Sequence, residues 1–170
     1  MVNEIELDLA DVNILVGANG SGKSSVLQAV HLGCCLVRQA DRVHPTKTNT
    51  VGIEQLDYLP TDDYKTLGHK NNWGNGAGSP SSRVSLTFKN AEAKQIEAHC
   101  VIRSARNAGI SVSGSIPQEA SSLLRQKKRF FSAYIPGISG VPNKEERRSR
   151  KVILRSCSFG DSNVILRNAL

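Results

Sequence analysis

The chain has 170 residues, a formal charge of +7 and 39% apolar residues. This length suits one domain with a real core, and the composition excludes collagen-like and wholly disordered proteins. No stretch reaches the roughly 18 apolar residues of a membrane span, and the acidic start of the chain differs from a secretory or import signal. We therefore expect a cytoplasmic protein.

The first third of the chain predicts two strands, a glycine-rich turn and a helix. Residues 4–9 alternate apolar and acidic side chains, which indicates a half-exposed strand, and residues 12–16 predict a buried strand. A turn at 17–22 precedes residues 23–38, whose apolar positions recur at helical spacing. His31 lies on this apolar run and is predicted to be a packed side chain rather than a ligand.

The middle of the chain predicts an antiparallel meander. Ahead of it we expect a short strand within 51–58, a brief helix over 62–67, and a loop over 68–82 that is rich in Gly, Asn and Ser. Alternating apolar positions then predict three strands. These strands are expected at 83–89, 95–103 and 110–114.

The last third predicts a helix at 118–129, a buried strand at 130–135, and helix again from residue 143. A final helix over 162–170 has an apolar stripe that is still running at the last residue, which favours a chain cut out of something longer. The four cysteines lack zinc-ligand spacing, so we expect reduced and mostly buried thiols.

Positive charge is concentrated near the end of the chain, because residues 121–170 hold 11 basic and 3 acidic residues. Such a patch could bind the phosphate backbone of DNA. A solvated helix face, with local ion pairs, is the alternative that we favour. The basic residues concerned are Arg125, Lys127, Lys128, Arg129, Arg147, Arg148, Arg150 and Lys151.

The chemistry of the chain is indicated by residues 17–24, Gly-Ala-Asn-Gly-Ser-Gly-Lys-Ser, which fit the phosphate-loop pattern G-x-x-x-x-G-K-[ST]. Glycines let the backbone curl so that its N–H groups converge on an anion, and the following helix adds its positive end. Lys23 would reach the β- and γ-phosphates of ATP as the catalytic residue, and the Ser24 hydroxyl would bind Mg²⁺. The predicted nucleotide-binding residues are Gly17, Ala18, Asn19, Gly20, Ser21, Gly22, Lys23, Ser24 and Ser25.

The stretch at 13–25, NILVGANGSGKSS, resembles the phosphate loops of ABC-class P-loop ATPases of the SMC, RecF and OLD kind. The meander resembles the antiparallel subdomain beside the nucleotide in such heads. Residues 131–137 resemble the strand that returns to their core sheet, and 160–168 the entry to their helical or coiled insertion. The resemblance implies an α/β P-loop NTPase with a mixed sheet and an antiparallel meander subdomain. It also implies a role in DNA repair, chromosome maintenance or phage defence.

The same resemblance implies parts that this sequence lacks. Heads of this class carry an LSGGQ-like signature, a Walker B strand that ends in Asp-Glu, and a switch histidine. This sequence contains neither an apolar run that ends in Asp-Glu nor the signature. We therefore expect an incomplete N-terminal lobe at 1–142, followed by a basic helical segment at 143–170 that leads into an insertion or second lobe. This lobe would bind ATP without hydrolysing it alone. Its partner would be a C-terminal lobe or a second head that joins it on ATP.

Two other functions fit parts of the pattern. A small P-loop kinase would use Arg147, Arg148 or Arg150 as lid arginines and Asp57 or Asp62 near Mg²⁺. A non-enzymatic nucleic-acid module would be built on residues 121–151 and would bind duplexes without nucleotide.

Three aromatic residues could stack on adenine, although ordinary packing is the interpretation that we favour for each. They are Tyr58, Tyr64 and Trp73. The pair Asp62-Asp63 could serve metal or acid–base chemistry, but the acidic first turn of a helix is favoured. The glutamine that would sense the γ-phosphate stays unassigned.

Overall fold

The computed structural model of the protein describes residues 4–39, 49–52, 55–61, 64–68, 73–74, 80–89, 92–105, 109–125, 131–135 and 147–159. Its helices are α1 (Lys23–Arg38), α2 (Gln118–Leu124) and α3 (Arg150–Phe159), with a 3₁₀ turn at Tyr64–Leu67. Its strands are β1 (Asn49–Val51), β2 (Ser82–Lys89), β3 (Gln95–Ser104) and β4 (Ile110–Ser115). The predicted α/β class is confirmed at this level.

The strands form one antiparallel sheet in the order β1-β4-β3-β2. Strands β2, β3 and β4 follow one another in sequence and pair with their neighbours, so the predicted meander is confirmed. The register places Leu86 opposite Ala98 and Val112 opposite Ile102. Apolar side chains from adjacent strands therefore share one face of the sheet.

The core lies between this apolar face and the helices α1 and α2. Helix α1 packs against β2 and β3, and α2 packs against β3 and α1. Leu36, Ile102 and Ile110 are at most 1% exposed. The predicted helix at 23–38 is confirmed, because its apolar stripe has this sheet face to pack against.

A close approach between α1 and β2 depends on Gly33. A Cβ atom at this position would lie 2.6 Å from Val84 Cγ1 and 3.2 Å from Leu86 Cδ1. Real Cβ atoms essentially never approach another atom within 3.0 Å, so a side chain here would force the helix or the Val84 side chain to shift. Gly33 therefore fixes the distance between the two elements.

The strands predicted at 4–9 and 12–16 are absent, and this prediction was wrong. Residues 4–16 form no regular element, and their large apolar side chains are exposed, with Val16 at 89%. The expected mixed sheet is likewise not found in the described part of the chain, where every strand pair is antiparallel. Alternation specifies a strand face, but a strand also needs a neighbour to pair with, and none of the described residues provides one.

Other boundaries also differ from the predictions. Residues 131–135 form no strand, and Phe131 and Ile135 are 48% and 52% exposed. The short strand expected within 51–58 is instead β1, and the brief helix over 62–67 is the 3₁₀ turn. Helix is expected from residue 143, but 147–149 are irregular and α3 begins at Arg150.

Several predictions fall wholly or partly outside the described residues. They include the final helix at 162–170 and most of the loop at 68–82. No helix in the described ranges is long and apolar enough to cross a membrane.

Candidate phosphate-binding loop

The loop at 17–22 turns sharply into α1 because two of its glycines adopt left-handed backbone angles. Gly20 has φ 79° and Gly22 has φ 92°, a region that residues with a Cβ rarely occupy. Ser21 N donates to the Ala18 carbonyl at 3.2 Å and closes the turn between them. The predicted need for glycine at these two positions therefore has a physical basis in the backbone.

Gly17 lies close to the other end of the loop. A Cβ atom there would lie 2.8 Å from Ser21 Oγ. Because the chain folds back on itself here, the first and last parts of the loop are in near contact. A Cβ atom at Gly17 would therefore displace the exposed Ser21 hydroxyl.

The Lys23 side chain folds back into this loop. Its Nζ donates to the Gly17 carbonyl at 2.7 Å and to the Ala18 carbonyl at 2.8 Å, and lies 3.4 Å from Ser21 Oγ. Three loop atoms therefore hold one ammonium group at a defined place, although Lys23 is six residues away from Gly17 in sequence. The ammonium is thus paired with oxygen atoms of the loop itself, and an anion that binds it would replace some of these contacts.

The start of α1 adds further donors. Gly22 is the N-cap and its carbonyl accepts from Val26 N at 3.0 Å, but no side chain caps the helix and its first turn contains no acidic residue. The first backbone N–H groups of a helix have no partner within the helix, and the helix dipole favours an anion there. The side chains of Ser24 and Ser25 are exposed in this turn. A phosphate group could accept from these N–H groups, and the Ser24 hydroxyl could contact its cation.

The other end of α1 is anchored to the segment at 55–61. The Arg38 guanidinium forms an ion pair with the Asp57 carboxylate. Gln39 Nε2 donates to the Gln55 carbonyl at 3.1 Å, and Asp57 N donates to Gln39 Oε1 at 3.2 Å. The helix is therefore fixed at its buried end, and its first turn projects into solvent with the loop.

This anchor argues against the magnesium role of Asp57 in a kinase. Lys23 and Arg38 stand at opposite ends of a 16-residue helix. Such a helix separates its ends by about 22 Å, at 1.5 Å per residue. Asp57 is engaged with Arg38 at the far end, so it lies a helix length from the loop. Asp62, the other acid considered, lies outside the described residues.

Two of the aromatic residues considered for adenine stacking pack against other parts of the fold. Tyr58 is 4% exposed and packs edge-on against His31, with ring centroids 4.5 Å apart. Trp73 is half-buried, and its Nε1 donates to Ser82 Oγ at 2.9 Å. The packing interpretation is confirmed for these two residues, whereas the Tyr64 side chain is outside the description.

Burial defines the chemistry of the histidine and cysteines along α1. His31 is 2% exposed, and its Nδ1 lies 2.8 Å from Ser132 Oγ, so its predicted packing role is confirmed. Cys34, Cys35 and Cys100 are free and buried, as predicted. Burial raises the pKa of Cys34 to about 11 and of Cys35 to about 12. These thiols are therefore protonated near neutral pH and are poor nucleophiles.

The basic residues divide into two places. Arg125 follows α2 and its Nε donates to the Arg38 carbonyl at 2.7 Å, at the anchored end of α1. A second group is exposed around the start of α3, whereas 127–129 lie outside the described residues. This exposed basic group comprises Arg147, Arg148, Arg150 and Lys151.

A metal site made only of protein side chains is not found among the described residues, where no group of three His, Cys, Asp or Glu side chains could hold a metal ion.

Sequence reasoning missed the contacts that position α1. The Arg38–Asp57 pair spans 19 residues and the His31–Ser132 contact spans 101 residues, so no local pattern marks either. The glycine at position 33 was visible in the helix, and its only signal was a low helix propensity that packing now explains. The chain matches no family model, curated protein or solved structure.

Proposed function

We propose that the chain binds Mg-ATP through residues 17–25. The observation that carries this proposal is the placement of the Lys23 ammonium inside a glycine loop that opens directly onto the uncapped start of α1. A lysine ammonium beside the uncapped N–H groups at the start of a helix fits a polyphosphate better than a neutral ligand. The sequence Gly17 to Ser24 supports the same interpretation, because it fits a phosphate-loop pattern.

Each part of the loop has a role in binding. The N–H groups at the start of α1 would surround the β-phosphate, and Lys23 would bridge the β- and γ-phosphates. The Ser24 hydroxyl would supply one oxygen ligand to Mg²⁺, whose other ligands would be phosphate oxygens and water. Bound Mg²⁺ neutralises phosphate charge. Asn19 and Ser21 line the exposed side of the loop.

The resemblance to SMC- and RecF-like ATPases supports a wider role in DNA repair, chromosome maintenance or phage defence. In such a protein this lobe would bind ATP, and hydrolysis would need a C-terminal lobe or second head that supplies the Walker B and signature motifs. The exposed side chains of Val12, Ile14 and Val16, just before the loop, support this completion. Apolar side chains at 79–89% exposure are stabilised when another surface covers them. We expect this chain alone to bind ATP and to release no phosphate.

The test is the affinity for ATP of the variant Lys23→Ala, measured by titration calorimetry in Mg²⁺. Loss of charge-assisted bonds worth about 1.5–3 kcal/mol each predicts a dissociation constant that rises about tenfold to a hundredfold or more. Lys94→Ala is the matched control, because Lys94 is an exposed lysine whose Nζ is 3.6 Å from Glu119 Oε2, away from the loop. Unchanged affinity for ATP in a folded Lys23→Ala protein would contradict the proposal.

A second variant separates the metal from the phosphates. Ser24→Ala removes the hydroxyl and leaves Lys23 and the loop backbone in place. We expect it to weaken ATP binding in Mg²⁺ and to leave the weaker binding in excess chelator unchanged. Equal losses under both conditions would assign Ser24 to the phosphates rather than to the metal.

Binding of DNA is a second candidate function, supported by the exposed cluster at Arg147, Arg148, Arg150 and Lys151. Phosphate contacts release counterions, so duplex affinity should fall steeply with salt. Reversing Arg147 and Lys151 to glutamate should reduce both the affinity and its salt dependence. Duplex binding that needs no nucleotide would favour the nucleic-acid module, whereas binding that requires ATP would favour the ATPase head.

A further inference from the structure

Residues 4–9, which we call the acidic segment, have two chemically different sets of positions. Even positions carry carboxylates and odd positions carry large apolar side chains. The apolar side chains are exposed in this structure, at 51% for Ile5, 40% for Leu7 and 64% for Leu9. The segment ends at a turn in which Asn13 Nδ2 donates to the Ala10 carbonyl at 2.7 Å. It therefore has the pattern of an amphipathic strand, and no described residue pairs with it as a strand.

Strand β2 also alternates between an apolar and an exposed face, and the charged side chains on its exposed face are basic rather than acidic. Val84, Leu86 and Phe88 face the core, and the alternate positions on the other face begin with Arg83 and end with Lys89. In the described part of the chain β2 pairs only with β3, so its second edge has no ladder there. A long edge strand without a partner is a template for another strand.

We propose that the acidic segment of one copy of this chain pairs antiparallel with the open edge of β2 in a second copy. One register of this pairing brings like faces together. It places apolar side chains opposite each other in three pairs, which extends the apolar layer of the sheet. These pairs are Ile5 with Phe88, Leu7 with Leu86, and Leu9 with Val84. In the same register Glu4 is opposite Lys89, and Asp8 is diagonal to Arg83. Side chains that are directly opposite or diagonal on two adjacent strands are close enough to interact.

The occupant is a second copy because each chain carries both halves of the contact. A two-fold dimer lets each acidic segment cover the partner's β2 edge, so both exposed features are buried by one self-complementary, closed interface. In the structure the acidic segment does not pair with its own β2. The pairing involves no residue of the loop at 17–25, so the dimer forms without nucleotide and Lys23→Ala leaves it intact.

Sedimentation equilibrium without nucleotide tests the charge pairing. We expect a dimer whose dissociation constant rises about tenfold in Glu4→Lys, because two symmetric contacts become repulsive. Adding Lys89→Glu should restore the affinity. Glu119→Lys is the matched control, since it makes the same charge change on an exposed residue of α2 and should have no effect. A monomer at all concentrations, or a dimer that Glu4→Lys does not weaken, overturns the proposal.

Disulfide cross-linking tests the register and the choice of a second copy. Glu6 and Thr87 are exposed and face each other in the proposed pairing. Mixing a tagged Glu6→Cys protein with an untagged Thr87→Cys protein should give a cross-linked heterodimer under mild oxidation. Leu7→Cys with Thr87→Cys places the thiols on opposite faces and should cross-link at least about tenfold more slowly. No heterodimer, or a cross-link within one chain that carries both cysteines, overturns the proposal.

Discussion

The buried thiols predict a loss of stability in mild alkali. Burial raises the pKa of Cys34 from 9.0 to about 11, and those of Cys35 and Cys100 from 9.0 to about 12. The folded protein therefore keeps three protons that the unfolded chain releases as the pH rises above 9. Because the folded pKa values are raised, this contribution to stability is fully present below pH 9 and is lost as the pH rises toward 11–12.

The size of the effect follows from these values. At pH 10, one unit above its ordinary pKa of 9.0, each unfolded thiol is stabilised by about 1 kcal/mol through proton release. The folded thiols gain almost nothing at that pH. Three thiols together should lower the free energy of unfolding by about 3–4 kcal/mol between pH 8 and pH 10. This is a large part of the free energy of unfolding of a typical domain, which is about 5–15 kcal/mol.

Urea unfolding under reducing conditions measures this change, with the fluorescence of the single tryptophan, Trp73, as the signal. Cys100→Ala removes one thiol, so its loss of stability between pH 8 and pH 10 should be smaller than that of the unmodified protein by about 1 kcal/mol. Lysines titrate in both proteins and cancel in the difference. A flat stability profile, or the same pH dependence in both proteins, would refute the assignment of raised thiol pKa values to burial.

Three substitutions test the packing around the sheet by urea unfolding. Gly33→Ala should cost about 1–3 kcal/mol through its 2.6 Å clash with Val84 Cγ1, and a neutral or stabilising result would contradict the close approach of α1 to β2. Gly114→Ala should cost at least as much, because its φ is 139° and a Cβ would lie 2.1 Å from the His99 carbonyl oxygen; Ser115→Ala, one residue on, is the exposed control. Asp57→Asn should cost about 1 kcal/mol by weakening the half-buried pair with Arg38, and a cost that does not shrink in high salt would argue against an ionic contribution.

Local sequence patterns determined the elements that rest on local chemistry. The helical spacing over 23–38 predicted α1 with its observed bounds, because its apolar stripe and helix-forming residues agree. Alternation between short turns predicted the meander, since neighbouring strands need only tight connections to pair. The left-handed angles at Gly20 and Gly22 follow from residue type in the same way.

The same patterns failed where the outcome depends on a distant partner. Residues 4–9 alternate as half-exposed strands do and 12–16 are apolar as buried strands are, yet neither forms a strand. Such a pattern defines the faces of a strand and does not supply a neighbouring one. The segment at 130–135, of which 131–135 are described, was predicted to be a strand for its apolar content. The described part is irregular, and its Ser132 contacts His31 instead.

For the candidate site, the sequence by itself determined the type of group that the loop can bind. The spacing of the glycines, the lysine and the serine is enough to predict a phosphate loop. Only the tertiary structure decided which way Lys23 points, that Asp57 is paired with Arg38 at the far end of α1, and that Tyr58 is packed beside His31. These contacts join residues far apart in sequence, and they form because packing a helix against a sheet selects one arrangement among the many that the local pattern allows.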